Sequence, residues 1–264
     1  MDETRREYNP GNLWIVDLLR GSRIRFTSNE STRDSLDQMP VWSPDSASVA
    51  FASNREGRLF QLYRKSVDRQ DPEERLLKTD HSDRPTDWSP DGRSLVYDEV
   101  GPTNSSDIWV LPLTGDRTPL PVLQSKFNEG QGRLSPDGRW LAYTSDETGR
   151  RQIYIQPFPA TGARLSVSVD GGTHPQWRHD GKELFYLDLE RRIVAVPIGR
   201  ASALPDVGVP HVLFSTSVVP ELPLTGTFYS VRADGERFLV SNVDEAPQSL
   251  PITVVLNWTA GLAK

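Results

Sequence analysis

Cysteine is absent from the 264 residues. Disulfides, thiol catalysis and Cys-ligated zinc or iron–sulfur sites are therefore excluded. The compartment stays open, since cysteine-free chains suit the cytoplasm and a disulfide-free periplasmic domain alike. An excess of basic charge is also lacking: 30 Lys and Arg stand against 36 Asp and Glu, a net charge of −6. Nucleic-acid binders gather a basic excess on one face. Here the basic clusters are short, as in Gly149-Arg150-Arg151 and Glu190-Arg191-Arg192, and read as solvated loops. A nucleic-acid partner is not expected. No apolar run approaches the roughly 18 residues that span a bilayer, so membrane insertion is not expected either. Met1 to Tyr8 carries no apolar stretch of a secretory signal, and the chain reads as soluble without an export signal of its own. Amphipathic helices with cap signals are missing as well. Wholesale disorder is excluded by 36% hydrophobic residues.

What is present is a repeat. Trp42-Ser43-Pro44-Asp45-Ser46, Trp88-Ser89-Pro90-Asp91-Gly92, Leu134-Ser135-Pro136-Asp137-Gly138 and Trp177-Arg178-His179-Asp180-Gly181 each precede an apolar run ending in Phe or Tyr. A decayed fifth copy runs from Val231 to Val240. The turn aspartates fall at 45, 91, 137, 180 and 234, spaced 46, 46, 43 and 54 residues apart. The last interval carries an insertion around Leu204 to Leu224. A period in the forties is the span of a four-stranded propeller blade. Pro sets φ for a turn, and Asp-Gly supplies the positive φ of a tight hairpin. The Trp before each turn is expected to pack between neighbouring blades. A second element recurs as Leu13 to Leu18, Leu62 to Lys65, Ile108 to Leu113, Ile153 to Pro157, Ile193 to Pro197 and Ile252 to Trp258, each read as a third strand. A solenoid of parallel coils is the rival repeat fold, but its coils are about half as long.

The fold class expected is all-β: a β-propeller of four-stranded antiparallel blades. The repeats lie near 41–80, 84–124, 130–169, 174–215 and 226–258, with a partial first blade at 12–28. That gives about six blades with incomplete terminal ones. The alternative is five blades, in which Leu13 to Phe26 completes the blade begun at Phe228 and Ile252 to Trp258 is left over.

The block Trp-Ser-Pro-Asp-Gly-x-x-apolar-Ala-Tyr, fullest at Trp88 to Tyr97 and Leu134 to Tyr143, resembles the TolB-like, WD-like β-propeller repeat. Asn12 to Leu18, Pro85 to Ser89, Phe127 to Gly132, Asp180 to Tyr186 and the ending Pro251 to Leu262 stand in an order that resembles the C-terminal propeller of acidobacterial-type, membrane-anchored serine/threonine kinases. The resemblance implies a sensor or interaction role, extracytoplasmic, within a larger bacterial signalling protein. No glycine-rich nucleotide loop, Val-Ala-Ile-Lys strand, His-Arg-Asp loop or Asp-Phe-Gly occurs, so kinase chemistry does not carry over to these residues.

Other chemistry has little support. His81, His174, His179 and His211 lack metal-ligand spacing, Gly-x-Ser-x-Gly is absent, and no calcium loop is present. No cofactor, metal or catalytic residue is expected. The loops entering the innermost strands line one mouth of a propeller channel. The binding candidates there are Asp83, Arg84, Asn128, Glu129, Gln131, His174 and Gln176. Phe127 to Gly132 is either a loop offering backbone groups to a ligand or a rigid turn. The leading expectation is a non-catalytic module binding a protein, peptide or glycan at the mouth. The alternative is a propeller-type lyase or glycosidase, with Asp83 and Glu129 as paired carboxylates near His174.

Overall fold

A computed structural model describes residues 11–28, 35–68, 72–101, 105–199, 204–218, 227–241 and 252–255. Met1 to Tyr8, the insertion beyond Val218 and the closing Asn257-Trp258 lie outside the described residues. The described residues form antiparallel sheets with no helix.

The first sheet holds β1 (Trp14–Asp17) and β2 (Ser22–Arg25). The second is β3 (Asp37–Trp42), β4 (Ser48–Ser53), β5 (Gln61–Ser66) and β6 (Glu74–Arg75). The third is β7 (Ser82–Trp88), β8 (Ser94–Val100), β9 (Ser106–Pro112) and β10 (Leu120–Leu123). The fourth is β11 (Glu129–Leu134), β12 (Trp140–Ser145), β13 (Gln152–Pro157) and β14 (Leu165–Ser166). The fifth is β15 (Thr173–Trp177), β16 (Glu183–Leu187) and the long β17 (Arg192–Gly199), which pairs with both β18 (Asp206–Val207) and β19 (His211–Ser215). The insertion thus supplies two short outer strands. The sixth is β20 (Tyr229–Val231), β21 (Phe238–Ser241) and β22 (Ile252–Val255). Ile252–Val255 pairs with Phe238–Ser241, whereas Trp14–Asp17 pairs with Ser22–Arg25.

Each turn is held by the residues that repeat. Ser43 Oγ donates to Asp45 Oδ1 at 2.5 Å, and the Ala47 N–H donates to the same oxygen. Ser89 and Asp91, then Ser135 and Asp137, repeat the bond at 2.6 Å. The serine hydroxyl and backbone N–H hold Asp45 and Asp91 below the usual carboxylate range. In the later copies arginine replaces serine: Arg178 pairs with Asp180 and Arg232 with Asp234.

Middle strands are apolar without alternation because both faces are covered. In β8, Leu95 and Tyr97 face the second sheet's Ala50 and Leu62, while Val96 faces the fourth sheet's Leu134 and Leu141. In β12, Tyr143 faces back and Ala142 forward. In β16, Leu184 and Tyr186 face back, and Phe185 and Leu187 forward onto Phe228 and Phe238. Each core cluster therefore seals one sheet to the next.

The tryptophan expectation holds for Trp88, which is buried against the second sheet, and for Trp177, which packs on the fourth. It fails at Trp42, which is 47% exposed. The sheet preceding Trp42 is the two-stranded first sheet, and it offers less surface than the four-stranded sheets behind Trp88 and Trp177.

Candidate functional site

The innermost strands β3, β7, β11 and β15 share one irregularity. Each carries one extra residue relative to its partner: between Gln38 and Val41, Pro85 and Asp87, Gly130 and Arg133, and Thr173 and Gln176. A bulge bends a strand and re-aims its side chains. At three of the four bulges a non-glycine residue has positive φ: Met39 at 55°, Gln131 at 59° and His174 at 57°. Such strain collects at functional sites. The second of the four bulges carries Pro85, whose ring fixes φ negative.

The bulged strands surround a cavity of about 730 Å³. Its lining includes Arg84, Asp98, Asn128, Glu129, Gln131, Arg133, Arg151, His174 and Gln176. Six of the seven sequence candidates therefore face one space, and Asp83 does not line it.

Gln131 and His174 come together. Gln131 Oε1 accepts the His174 backbone N–H at 2.8 Å and the Thr144 hydroxyl at 2.8 Å. A backbone N–H can only donate, so the amide oxygen is fixed there and Nε2 is left facing His174 Nε2 at 3.0 Å. His174 Nε2 is then the acceptor and Nδ1 carries the proton. Burial, with Arg151 and Arg133 nearby, pushes the imidazole down to about 3, so it is neutral at physiological pH. The ring also meets Phe228 edge-on at 4.7 Å, and the Tyr229 hydroxyl donates to the His174 carbonyl at 2.7 Å.

Asp83 and Glu129 are held elsewhere. The Thr79 hydroxyl donates to Asp83 at 2.7 Å, and the Ser125 hydroxyl donates to Glu129 at 2.7 Å. Burial raises both carboxyls, Asp83 to about 7. With Asp37, whose carboxylate pairs with Arg55, they stand 46 residues apart at one repeat position. Asp83, Glu129 and His174 share no hydrogen bond: each has its own partner. Asn128 is bound to Asp146 through both its backbone N–H and its amide.

Phe127 to Gly132 is loop only at Phe127 and Asn128. Its last four residues open strand β11, and its N–H groups at 127, 128 and 131 go to Ser125, Asp146 and Asp98. Glu129 and Gly130 are strand because they pair with Ser145 and Thr144 of β12, and the bulge follows them.

Asp98, Arg133 and Arg151 escape the reading of mouth loops. Both Asp98 oxygens lie 3.0 Å from the Gln131 N–H. A Cβ on Gly130 would sit 2.9 Å from Asp98 Oδ2, so glycine makes room for the carboxyl. Burial pushes Asp98 up to about 7, against the Gln131 N–H and the pull of Arg84, Arg133 and Arg151. A signal for Asp98 exists in the repeat. Positions 52, 98 and 144 are equivalent and hold Ala, Asp and Thr, so an acid interrupts a buried strand. Arg133 holds Thr227 through Nη2 and lies 3.7 Å from Asp87. Among the described residues, no group of three His, Asp or Glu side chains is placed to hold a metal ion.

No protein-family model matches the chain. An uncharacterized peptidase of Bacillus subtilis, YuxL, is 27% identical over 186 residues, covering 54% of this chain and 27% of that protein. The chain thus spans about a quarter of that relative's length. TolB from Acinetobacter baumannii superposes with a TM-score of 0.66 at 21% identity, over 89% of this chain and 54% of that one. Oligogalacturonate lyase from Vibrio parahaemolyticus superposes with a TM-score of 0.61 at 14% identity, over 89% of this chain and 69% of that one. The chain has the fold of TolB-like β-propellers.

Proposed function

We propose that this propeller is a non-catalytic recognition module whose ligand, a protein segment, peptide or glycan, docks at the mouth of the channel between β3, β7, β11 and β15. The observation that carries the reading is the bulge set. Four inner strands spend a ladder irregularity each, and three spend a strained residue, to aim polar groups into one space. Arg84 and Gln176 complete the binding surface with Gln131 and His174; Asn128 and Glu129 shape its rim from beneath. The chain's short span of its relative YuxL fits a part that recognises within a larger protein, and the motif order quoted above makes a bacterial signalling protein our choice.

An array of peptides and oligosaccharides, probed with the wild-type chain and with Gln176→Trp, tests the reading. Ligands held by the wild type and lost on filling the mouth are expected. Ligands that bind the variant equally well would remove the mouth as the site.

A lyase reading has one supporting observation: Asp98 is an acid poised near 7 within a cavity that also holds arginines. It rests on Asp98 rather than on Asp83, Glu129 and His174. Product formation from acidic oligosaccharides that vanishes in Asp98→Asn would favour it over simple binding.

A further inference from the structure

About half of the described arginines form an ion pair. Arg55 pairs with Asp37, Arg64 and Arg117 with Glu74, Arg164 with Glu147, Arg178 with Glu183 and Arg192 with Asp188. Two arginines of the channel cavity differ. Among the described residues, Arg84 and Arg151 have no ion pair and their guanidinium groups make no hydrogen bond; Arg84 Nε is buried without a partner. Arg84 stands directly across the strand pair from Asp98, yet the two form no ion pair, because both Asp98 oxygens turn to the Gln131 N–H. Arg84 is half-buried and Arg151 exposed at the cavity's edge; a half-buried guanidinium without an acceptor forgoes the strong charge-assisted bonds it is built to make.

The rest of the cavity points the same way. His174 Nδ1, the protonated nitrogen by the argument above, is a second buried donor without a partner. Gln176 lines the same space. Most acid oxygens there have partners: Asp98 takes the Gln131 N–H, Glu129 Oε1 the Ser125 hydroxyl and Asp188 the Arg192 guanidinium, while Glu129 Oε2 is the one buried acceptor of the lining without a partner among the described residues. Unspent capacity in this cavity is thus mainly donor and cationic, inside a protein of net charge −6.

We propose that the cavity binds a carboxylate, carried by a small molecule or a flexible chain end, with Arg84 and Arg151 as its charged partners. The proposal rests on the channel-mouth reading and gives its ligand a chemistry. A planar monoanion suits two guanidinium groups. A phosphate dianion fits less well, since Asp98, Glu129 and Asp188 line the same walls. The volume accommodates a ligand of a few residues or rings rather than a folded partner.

Calorimetric titration of the wild-type chain with five probes tests it. The probes are N-acetylated tetraglutamate, a galacturonate trimer, their uncharged counterparts (N-acetylated tetraglutamine amide and the trimer methyl ester), and inorganic phosphate as a control. At least one acid is expected to bind at millimolar concentration or below, with its uncharged counterpart weaker by about tenfold or more. Which acid binds identifies the source of the carboxylate. Arg84→Gln and Arg151→Gln are each expected to weaken that acid by about tenfold, with affinity falling as salt rises. Arg139→Gln, outside the cavity, is the control for general charge. Equal binding of the uncharged forms, tighter binding of phosphate, unchanged affinity in both arginine variants, or no binding of either acid overturns the proposal. The Gln176→Trp variant separates this failure from failure of the mouth itself. If it blocks a ligand that Arg84→Gln and Arg151→Gln leave alone, the mouth is the site and the carboxylate assignment is wrong.

Discussion

At the residue scale the repeat is a record of which atoms must be where. Ser46 occupies the turn position filled elsewhere by Gly92, Gly138, Gly181 and Gly235, and its φ of 58° matches their 70° to 76°. A non-glycine residue there carries a penalty of roughly 1 kcal/mol. Ser46→Gly is therefore expected to stabilise the fold by about 0.5–1 kcal/mol, read as a rise in the denaturant midpoint at unchanged slope. Asp98 gives a pH prediction. Its folded value, about 7, lies above the usual carboxylate range, so the folded chain holds that proton more tightly than the unfolded chain. Its contribution is full below the unfolded value and is lost as pH rises through about 7. Asp83, also raised to about 7, acts in the same sense, whereas neutral His174 acts in the opposite sense between about 3 and its ordinary value near 6.5. Thermal melts of Asp98→Asn should show a shallower loss of stability from pH 5 to 8 than the wild type. An identical slope would mean that Asp98 is ordinary in the folded chain.

At the element scale, the strands explain what the sequence made legible and what it hid. The turns were legible because their chemistry is local: Ser43, Asp45 and Ser46 lie within four positions, and so do their copies. The apolar runs were legible because β8, β12 and β16 are buried on both faces. The meeting of Gln131 with His174 was not, because it joins residues 43 apart and depends on two bulges. Pairing with β12 likewise makes Glu129 to Gly132 strand, where the glycines suggest a loop. Trp42 was misjudged because a repeat shows what a residue packs against only when the neighbouring sheet is equally large. Leu141, at 0% exposed, sits between β8 and β12 where two sheets seal. Leu141→Ala is expected to cost about 2–5 kcal/mol, measured by chemical unfolding. The exposed Leu120 on outer strand β10 should cost well under 1 kcal/mol in the same assay.

At the scale of the whole molecule, the sheets follow one another in chain order, and each core cluster joins one sheet to the next. That architecture puts the first strand of successive sheets around one axis, where any departure from the repeat faces the same space. Position 84 of the repeat has equivalents Gln38 and Gly130, and position 133 has Val41 and Asp87. The repeat's regular residues build the ring, and its irregular ones furnish the cavity. On the proposed function, ligand meets the chain at this inner wall. Hydrogen exchange with and without a bound probe reads that directly. Added protection is expected at the N–H groups of Asp37–Trp42, Ser82–Trp88, Glu129–Leu134 and Thr173–Trp177, with β6, β10 and β14 unchanged. Protection confined to the outer strands, with the four inner strands unaltered, would contradict it.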